Sequence, residues 1–290
     1  MVGRITEKKK LEKIANRLRV KVVKMIGKSG FGHAGGSMSI AEILTTLYFY
    51  ELRIDPENPD WEERDRFVLS KGHAAPVFYA VLSERGFIPE DVLLSIHHPE
   101  SPLQCHPDMR LCPGVEISTG ALGQGLSVAV GMALGAKLKG RSFRVYALLG
   151  DGEVQEGQVW EAAMSASKYK LDNLVAIIDY NKLELSGRIS KIMPLEPLYE
   201  KWTSFGWHTL QINGHSFTQI INALDEAKKV KGKPTLIIAH TVKGYGVSFM
   251  EDKVEWHAVS MSPEQVKEAL KELNCPQEEI EATLSQMKEG

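Results

Sequence analysis

The stretch FRVYALLGDGEVQEGQVWEAAMSASKYKLDNLVAIIDYNKLELSG, residues 143–187, holds two apolar runs separated by a glycine turn and a helical pattern. Its first apolar run, Val145-Tyr146-Ala147-Leu148-Leu149, reads as a buried strand. The run stops at Gly150-Asp151-Gly152, a turn too flexible for the inside of a regular element. From Gly157 to Lys170, apolar residues Val159, Ala162, Ala163, Ala166 and Tyr169 recur at helical spacing. A second apolar run, Leu174-Val175-Ala176-Ile177-Ile178, ends in Asp179-Tyr180-Asn181. Strand, turn, helix and strand in this order predict two parallel neighbours joined by a right-handed crossover. Asp151 and Asn181 then share the carboxyl edge of the sheet, where open α/β folds place their ligands.

A carboxylate and a carboxamide at such an edge suit a hard divalent ion, because both offer oxygen and neither is soft. Glycines beside Asp151 let backbone N–H groups approach an anion near a helix N-terminus. Gly-Asp-Gly alone is a common turn. The ordered set of strand, Gly-Asp-Gly, helix, strand and Asn181 is far more restrictive, and it resembles the diphosphate–metal motif of thiamine diphosphate enzymes.

Outward from this unit, the same pattern recurs. Leu11, Ile14, Leu18, Val22 and Met25 predict an amphipathic helix over 7–28. Residues 29–37, SGFGHAGGS, read as a loop with four glycines around His33, and residues 39–50 as a further helix. Arg66-Phe67-Val68-Leu69 is a short strand followed by Ser70-Lys71-Gly72-His73, which brings His73 to the edge of Asp151 if the strands are parallel. Residues 88–113 are loop-like, with five prolines and with His97, His98 and His106 at no zinc-ligand spacing. His97 and His98 read as ordinary loop residues, and His106 is open.

The helix over 126–138 is rich in Gly and Ala, consistent either with a buried core helix or with a contact between subunits. Residues 189–195 read as a loop, 198–205 as a short helix, 207–212 as a strand and 216–229 as a helix. Thr235–His240 is another buried strand, and its edge carries the glycine-rich Thr241-Val242-Lys243-Gly244-Tyr245-Gly246. Residues 262–290 read as a tail of two charged amphipathic helices, started by Ser262-Pro263-Glu264.

With 290 residues the chain is expected to form one α/β domain over 1–290, a mostly parallel sheet with helices on both faces. Its 35 Lys and Arg against 37 Asp and Glu give a net charge of −2, with no basic stripe for nucleic acid. No apolar run nears the ~18 residues of a membrane span, and MVGRITEKKK lacks a signal-peptide core, so a cytoplasmic protein is expected. Cys105, Cys112 and Cys275 are expected as free thiols.

Several stretches together resemble the N-terminal half of the transketolase family: Gly32-His33-Ala34-Gly35-Gly36-Ser37, Arg66 to Ala74, His106-Pro107, Pro113 to Gly125, Gly150 to Gly157, Asn181-Lys182 and Glu255-Trp256-His257. They keep the family's order over roughly residues 10–260, with Ala34 where the family usually has Pro. The resemblance implies thiamine diphosphate, with Mg²⁺ (or Ca²⁺ or Mn²⁺) held by Asp151, Asn181 and the Leu183 carbonyl. It implies His33, His73 and His257 around diphosphate, thiazolium and donor sugar, and His106 near the substrate carbonyl. Gly120, Ala121, Leu122, Gly150, Gly152 and Glu153 complete the implied cofactor shell, Leu185 packs on the thiazolium, and Glu156 faces a partner carboxylate across an interface between subunits.

The implied reaction moves a two-carbon ketol unit between sugar phosphates, in pentose phosphate metabolism. The family's activating Glu, phosphate-gripping arginines and pyrimidine pocket lie in later domains, for which the 30 residues after 260 leave no room. The expectation is therefore one subunit of a split transketolase, completed by a separate C-terminal subunit in an α₂β₂ heterotetramer. Deoxyxylulose-phosphate synthase and 2-oxo acid dehydrogenase subunits share the Gly-Asp-Gly to Asn unit, but the loops of His33, His73 and His106 suit a polyhydroxylated ketose better. A non-catalytic cofactor-binding scaffold would need none of these histidines.

Overall fold

Arg66–Leu69, Val145–Gly150, Leu174–Tyr180, His208–Asn213 and Thr235–His240 form strands β1 to β5. In the computed structural model, which describes residues 4–288, they make one sheet in the order β1-β2-β3-β5-β4 with every pairing parallel. The ends of the expected domain, 1–3 and 289–290, lie outside the described residues.

Every residue of β2 and β3 is buried, because helices cover both faces of the sheet. Strand periodicity divides them between two cores. Tyr146, Leu148, Val175, Ile177 and Ile237 enter one core with Leu18, Val22 and Phe78, from the helices Lys8–Ser29 and Ala75–Arg85. Ala147, Leu149, Ala176, Ile178 and Leu236 enter the other with Leu126, Ala133, Val159 and Ala163, from Gln124–Leu138 and Gly157–Lys168. Truncating a side chain at the centre of either core, such as Ile177, costs about 2–5 kcal/mol.

The central unit forms as its sequence predicts: β2, the helix Gly157–Lys168 and β3, with β2 and β3 parallel neighbours. Three other expectations need correction. The loop expected over 29–37 ends in a short helix, Ala34–Met38, while the helix expected over 39–50 forms as Ala41–Thr46 continued by a wide π turn, Leu47–Glu51. Gly35 therefore lies in a helix rather than a loop. Its missing side chain admits Lys243 and the Trp256 carbonyl, both within 2.8 Å of where a Cβ would stand. Within the loop expected over 189–195, Ile189–Ile192 form one helical turn anchored by buried Ile189. The histidine-rich segment contains a 3₁₀ turn at Asp91–Ser95.

The helix Gln124–Leu138 buries Leu126, Ala129, Ala133 and Ala136 but leaves Gly131 open and Leu138 79% exposed, so it is a surface helix with one bare face. The tail forms Pro263–Glu272, started by a Ser262/Gln265 capping box, and Gln277–Lys288. All three cysteines are free, and among the described residues no helix is long and apolar enough to cross a membrane.

Candidate active site

Parallel strands gather their carboxyl ends on one edge, and here that edge holds the ionisable residues. Gly150 pairs with Asp179, so Asp151 follows β2 beside Asn181, which follows β3. Lys71 leaves the end of β1 and Lys243 the end of β5. Between them opens a pocket of about 340 Å³.

Asp151 is 2% exposed, and its oxygens accept N–H bonds from Gly152 at 2.9 Å and from Lys182. Burial, with nearby Asp179, pushes its carboxyl up to about 7. Lys182 has φ 69°, a left-handed turn that brings its N–H back to Asp151. Asn181 Oδ1 accepts from Leu183 N at 3.0 Å, while its Nδ2 donates to Asp179 at 2.9 Å.

Asp179, fully buried, is the hub under this edge. It accepts from Lys71 Nζ at 2.6 Å, from Ser39 Oγ at 2.7 Å and from Thr241 Oγ1. Burial works upward on its pKa, but Lys71 and these donors hold it below the usual carboxylate range. Lys71 also donates to the Gly36 carbonyl at 2.7 Å. Lys243 is 2% exposed and forms no ion pair among the described residues; it donates to the Leu183 carbonyl at 3.0 Å and to His257 Nδ1 at 2.8 Å. Burial lowers its pKa to about 8.

The four histidines singled out in the sequence converge from distant segments. His73 lies 5.2 Å from both His33 and His257, and His33 lies 5.6 Å from His257 and 6.3 Å from His106, ring centre to ring centre. Burial is the main cause lowering all four, aided by Lys71 at His73 and by Lys243 at His257. His33 falls to about 4, His257 to about 3 and His73 to about 2, so these rings are neutral at physiological pH. Neutral imidazoles can exchange hydrogen bonds with hydroxyl groups without contributing charge.

Of the expected residues, His33, His73, His257, Gly120 and Leu122 line the pocket. So do Gly150, Asp151, Gly152, Glu153 and Glu156, and so do Asn181, Leu183 and Leu185. Leu122, Leu185 and Glu156 are exposed at its mouth. His106 does not line it but lies against the Gly120 backbone, and Ala121 is exposed outside the lining. Glu153 directs its oxygens into the protein, accepting from Ser70 Oγ, from Gly123 N at 2.9 Å and from Gly150 N at 3.1 Å. It ties β1, β2 and the start of the helix Gln124–Leu138 together.

The sequence reading did not assign Lys71, Lys243 or Asp179. A signal was present: both lysines precede a glycine just beyond an apolar strand, and Asp179 interrupts an apolar run. Two buried ammonium groups, one without a carboxylate partner, fit an anionic ligand, and Gly36, Gly150 and Gly152 leave room for its approach. The oxygens of Asp151, Asn181 and Leu183 on the same side form a hard donor set suited to Mg²⁺.

The chain matches the family described as "Transketolase, thiamine diphosphate binding domain" over residues 10–284. It is 47% identical over 263 residues to the 6-deoxy-6-sulfo-D-fructose transketolase subunit of Clostridium sp. (strain MSTE9), covering 91% of this chain and 96% of that one. Identity to an apulose-4-phosphate transketolase subunit of Phocaeicola vulgatus is 43%, over 93% and 96% of the two chains. Human transketolase is 42% identical over 91% of this chain but only 42% of its own length. The crystal structure of transketolase from Campylobacter jejuni shares the fold with a TM-score of 0.89 at 33% identity, over 98% of this chain and 47% of that one. The chain thus spans less than half of these long transketolases and nearly all of the bacterial subunits. With the family's domain matched almost end to end, the chain belongs to the transketolase family.

Proposed function

We propose that this chain is the diphosphate-binding subunit of a two-chain, thiamine diphosphate- and Mg²⁺-dependent transketolase, a transferase that moves a two-carbon ketol unit from a ketose phosphate to an aldose phosphate. The observation that carries this reading is the pairing at one sheet edge of buried, anion-seeking Lys71 and Lys243 with the oxygen donors Asp151 and Asn181. When bound, thiamine diphosphate supplies the carbon nucleophile that cleaves the bond beside a ketone carbonyl.

The chain's own residues hold and surround that group. Asp151, Asn181 and the Leu183 carbonyl hold the metal, and Lys71 and Lys243 neutralise the diphosphate. His33, His73 and His257 exchange hydrogen bonds with donor hydroxyls, and His106 sets the position of Gly120 at the cofactor. Leu122 and Leu185 give the thiazolium an apolar seat. Glu156, at the pocket mouth, faces the second chain.

A separate C-terminal subunit completes the site, in an α₂β₂ assembly. The coverage of the bacterial relatives, which carry the word subunit in their names, supports this arrangement. The exposed Leu122 and Leu185 are surfaces such a partner would cover. The domain over 1–290 with its helical tail acts as one cofactor-binding unit in the cytoplasm, on pentose phosphates.

The test is to co-express this chain with the product of the adjoining reading frame and assay the complex with thiamine diphosphate and Mg²⁺. Xylulose 5-phosphate, 6-deoxy-6-sulfofructose and apulose 4-phosphate are offered as donors. Ketol transfer from the first supports the pentose phosphate role; transfer from only one of the others moves the chain to that sugar. Normal transfer by this chain alone would falsify the two-chain reading.

A further inference from the structure

The loop after β5 delivers Lys243 to the pocket, yet its backbone is held from behind. At one end Thr241 Oγ1 donates to Asp179, and at the other Gly244 N donates to the Gly35 carbonyl at 3.0 Å. Between these anchors Val242 N–H donates to His215 Nε2 at 2.9 Å. His215 stands in the turn after β4, and its side chain is 10% exposed.

Because Nε2 accepts, the ring proton sits on Nδ1, which donates to Glu42 Oε2 at 3.0 Å. Glu42 is held in turn by both terminal nitrogens of Arg19, at 2.8 and 2.7 Å. The same imidazole stacks on Tyr245, with ring centres 3.6 Å apart and planes at 19°, and the Arg19 guanidinium lies 5.0 Å from that tyrosine ring. One side chain therefore fixes residues 242 and 245, on either side of Lys243 and Gly244. Arg19, Glu42, His215 and Tyr245 all lie outside the pocket lining.

We propose that His215 is a positioning residue for Lys243: through Val242 and Tyr245 it sets where the ammonium stands in the pocket. That this placement serves a bound diphosphate rests on the function proposed above. Outer-shell groups of this kind typically change ligand affinity by 10- to 100-fold when removed.

Three substitutions separate the contributions. His215→Phe keeps a ring to stack on Tyr245 but offers no acceptor to Val242 and no donor to Glu42. His215→Gln can bring an amide oxygen near the Nε2 position, whereas His215→Asn reaches only the Nδ1 position. In the full chain, hydrogen exchange over residues 241–246 is expected to quicken roughly tenfold in the Phe and Asn variants. Exchange there should return toward the original rate in the Gln variant, while β2 and the helix Lys8–Ser29 stay unchanged. In the enzyme assembled with its second chain, calorimetry with thiamine diphosphate and Mg²⁺ is expected to show a roughly tenfold weaker Kd for His215→Phe. The same substitution should have no effect in a Lys243→Met background. Unmoved exchange at 241–246, or equal losses of affinity in both backgrounds, would overturn the proposal. If the unsubstituted assembly takes up no thiamine diphosphate, the diphosphate reading falls, and the exchange measurement alone upholds or overturns the positioning of Lys243.

Discussion

Lys243 Nζ stands 2.8 Å from His257 Nδ1 and 3.0 Å from the Leu183 carbonyl, so an ammonium occupies one of the oxygens proposed for the metal. An ammonium and a divalent cation that share one carbonyl oxygen repel each other. The ammonium and the metal therefore compete until a diphosphate attracts both. Lys243→Met is expected to bind Mn²⁺ alone several-fold more tightly, and to bind the metal–thiamine diphosphate pair about 10- to 100-fold more weakly. Electron paramagnetic resonance of Mn²⁺ and calorimetry measure the two effects. Changes of the same sign would contradict the competition.

The pair Lys71–Asp179 is buried on both sides and lies under the whole site. Removing one member leaves a buried charge, which costs about 3–5 kcal/mol, whereas removing both costs much less. Lys71→Met is expected to lower unfolding stability by that amount, and adding Asp179→Asn to restore most of it. A urea double-mutant cycle reads the coupling, and simple additivity would show the pair to be independent.

Several buried or half-buried carboxylates contribute to acid stability, among them Asp179, Glu84 and Glu42. Burial works to raise the Glu42 pKa, but Arg19 and the His215 N–H outweigh it and hold it at about 2, against 4.5 ordinarily. A depressed pKa contributes stability above the unfolded-state value and loses it as pH falls through the folded one. The window is thus from about 4.5 down to about 2, with a contribution of about 3 kcal/mol at neutral pH. Glu42→Gln should make the pH dependence of unfolding shallower in that window and leave it unchanged between pH 6 and 8. An acid limb as steep as that of the unsubstituted chain would exclude Glu42 as one of its sources.

Gly244 has φ 78°, and a Cβ there would run into the Met250 carbonyl. The left-handed conformation alone costs a non-glycine residue about 1–2 kcal/mol, and a backbone atom cannot give way cheaply. Gly244→Ala is expected to lower stability by at least that amount and to weaken thiamine diphosphate binding by displacing Lys243. Thermal unfolding and calorimetry check the two effects; a neutral result in both would mean that the loop shifts freely.

The central pair of strands was legible as two apolar runs around a Gly-Asp-Gly turn and a helix, and the pair Asp151 and Asn181 because two parallel neighbours fix where their ends lie. The lysines were not, since the value of a charge depends on what folds against it. Lys71 meets Asp179 across 108 positions of sequence, and Ser39 meets it across 140. Glu153 lines the pocket, but what its carboxylate meets was not legible: it accepts from Ser70, Gly123 and Gly150 inside the protein. The short helix inside the loop expected over 29–37 was hidden for a similar reason: the packing that uses Gly35 comes from Lys243 and Trp256, more than 200 residues away.

All five strands point the same way, and that sets the opposite rim of the sheet apart from the pocket. The turns that enter β1, β2 and β5, around Glu62, Arg141 and Lys233, are exposed or half-exposed and supply nothing to the pocket. A fluorophore, a surface tether or a fused protein attached at Lys233 should therefore leave the working edge facing solution, a practical handle for watching a second chain arrive.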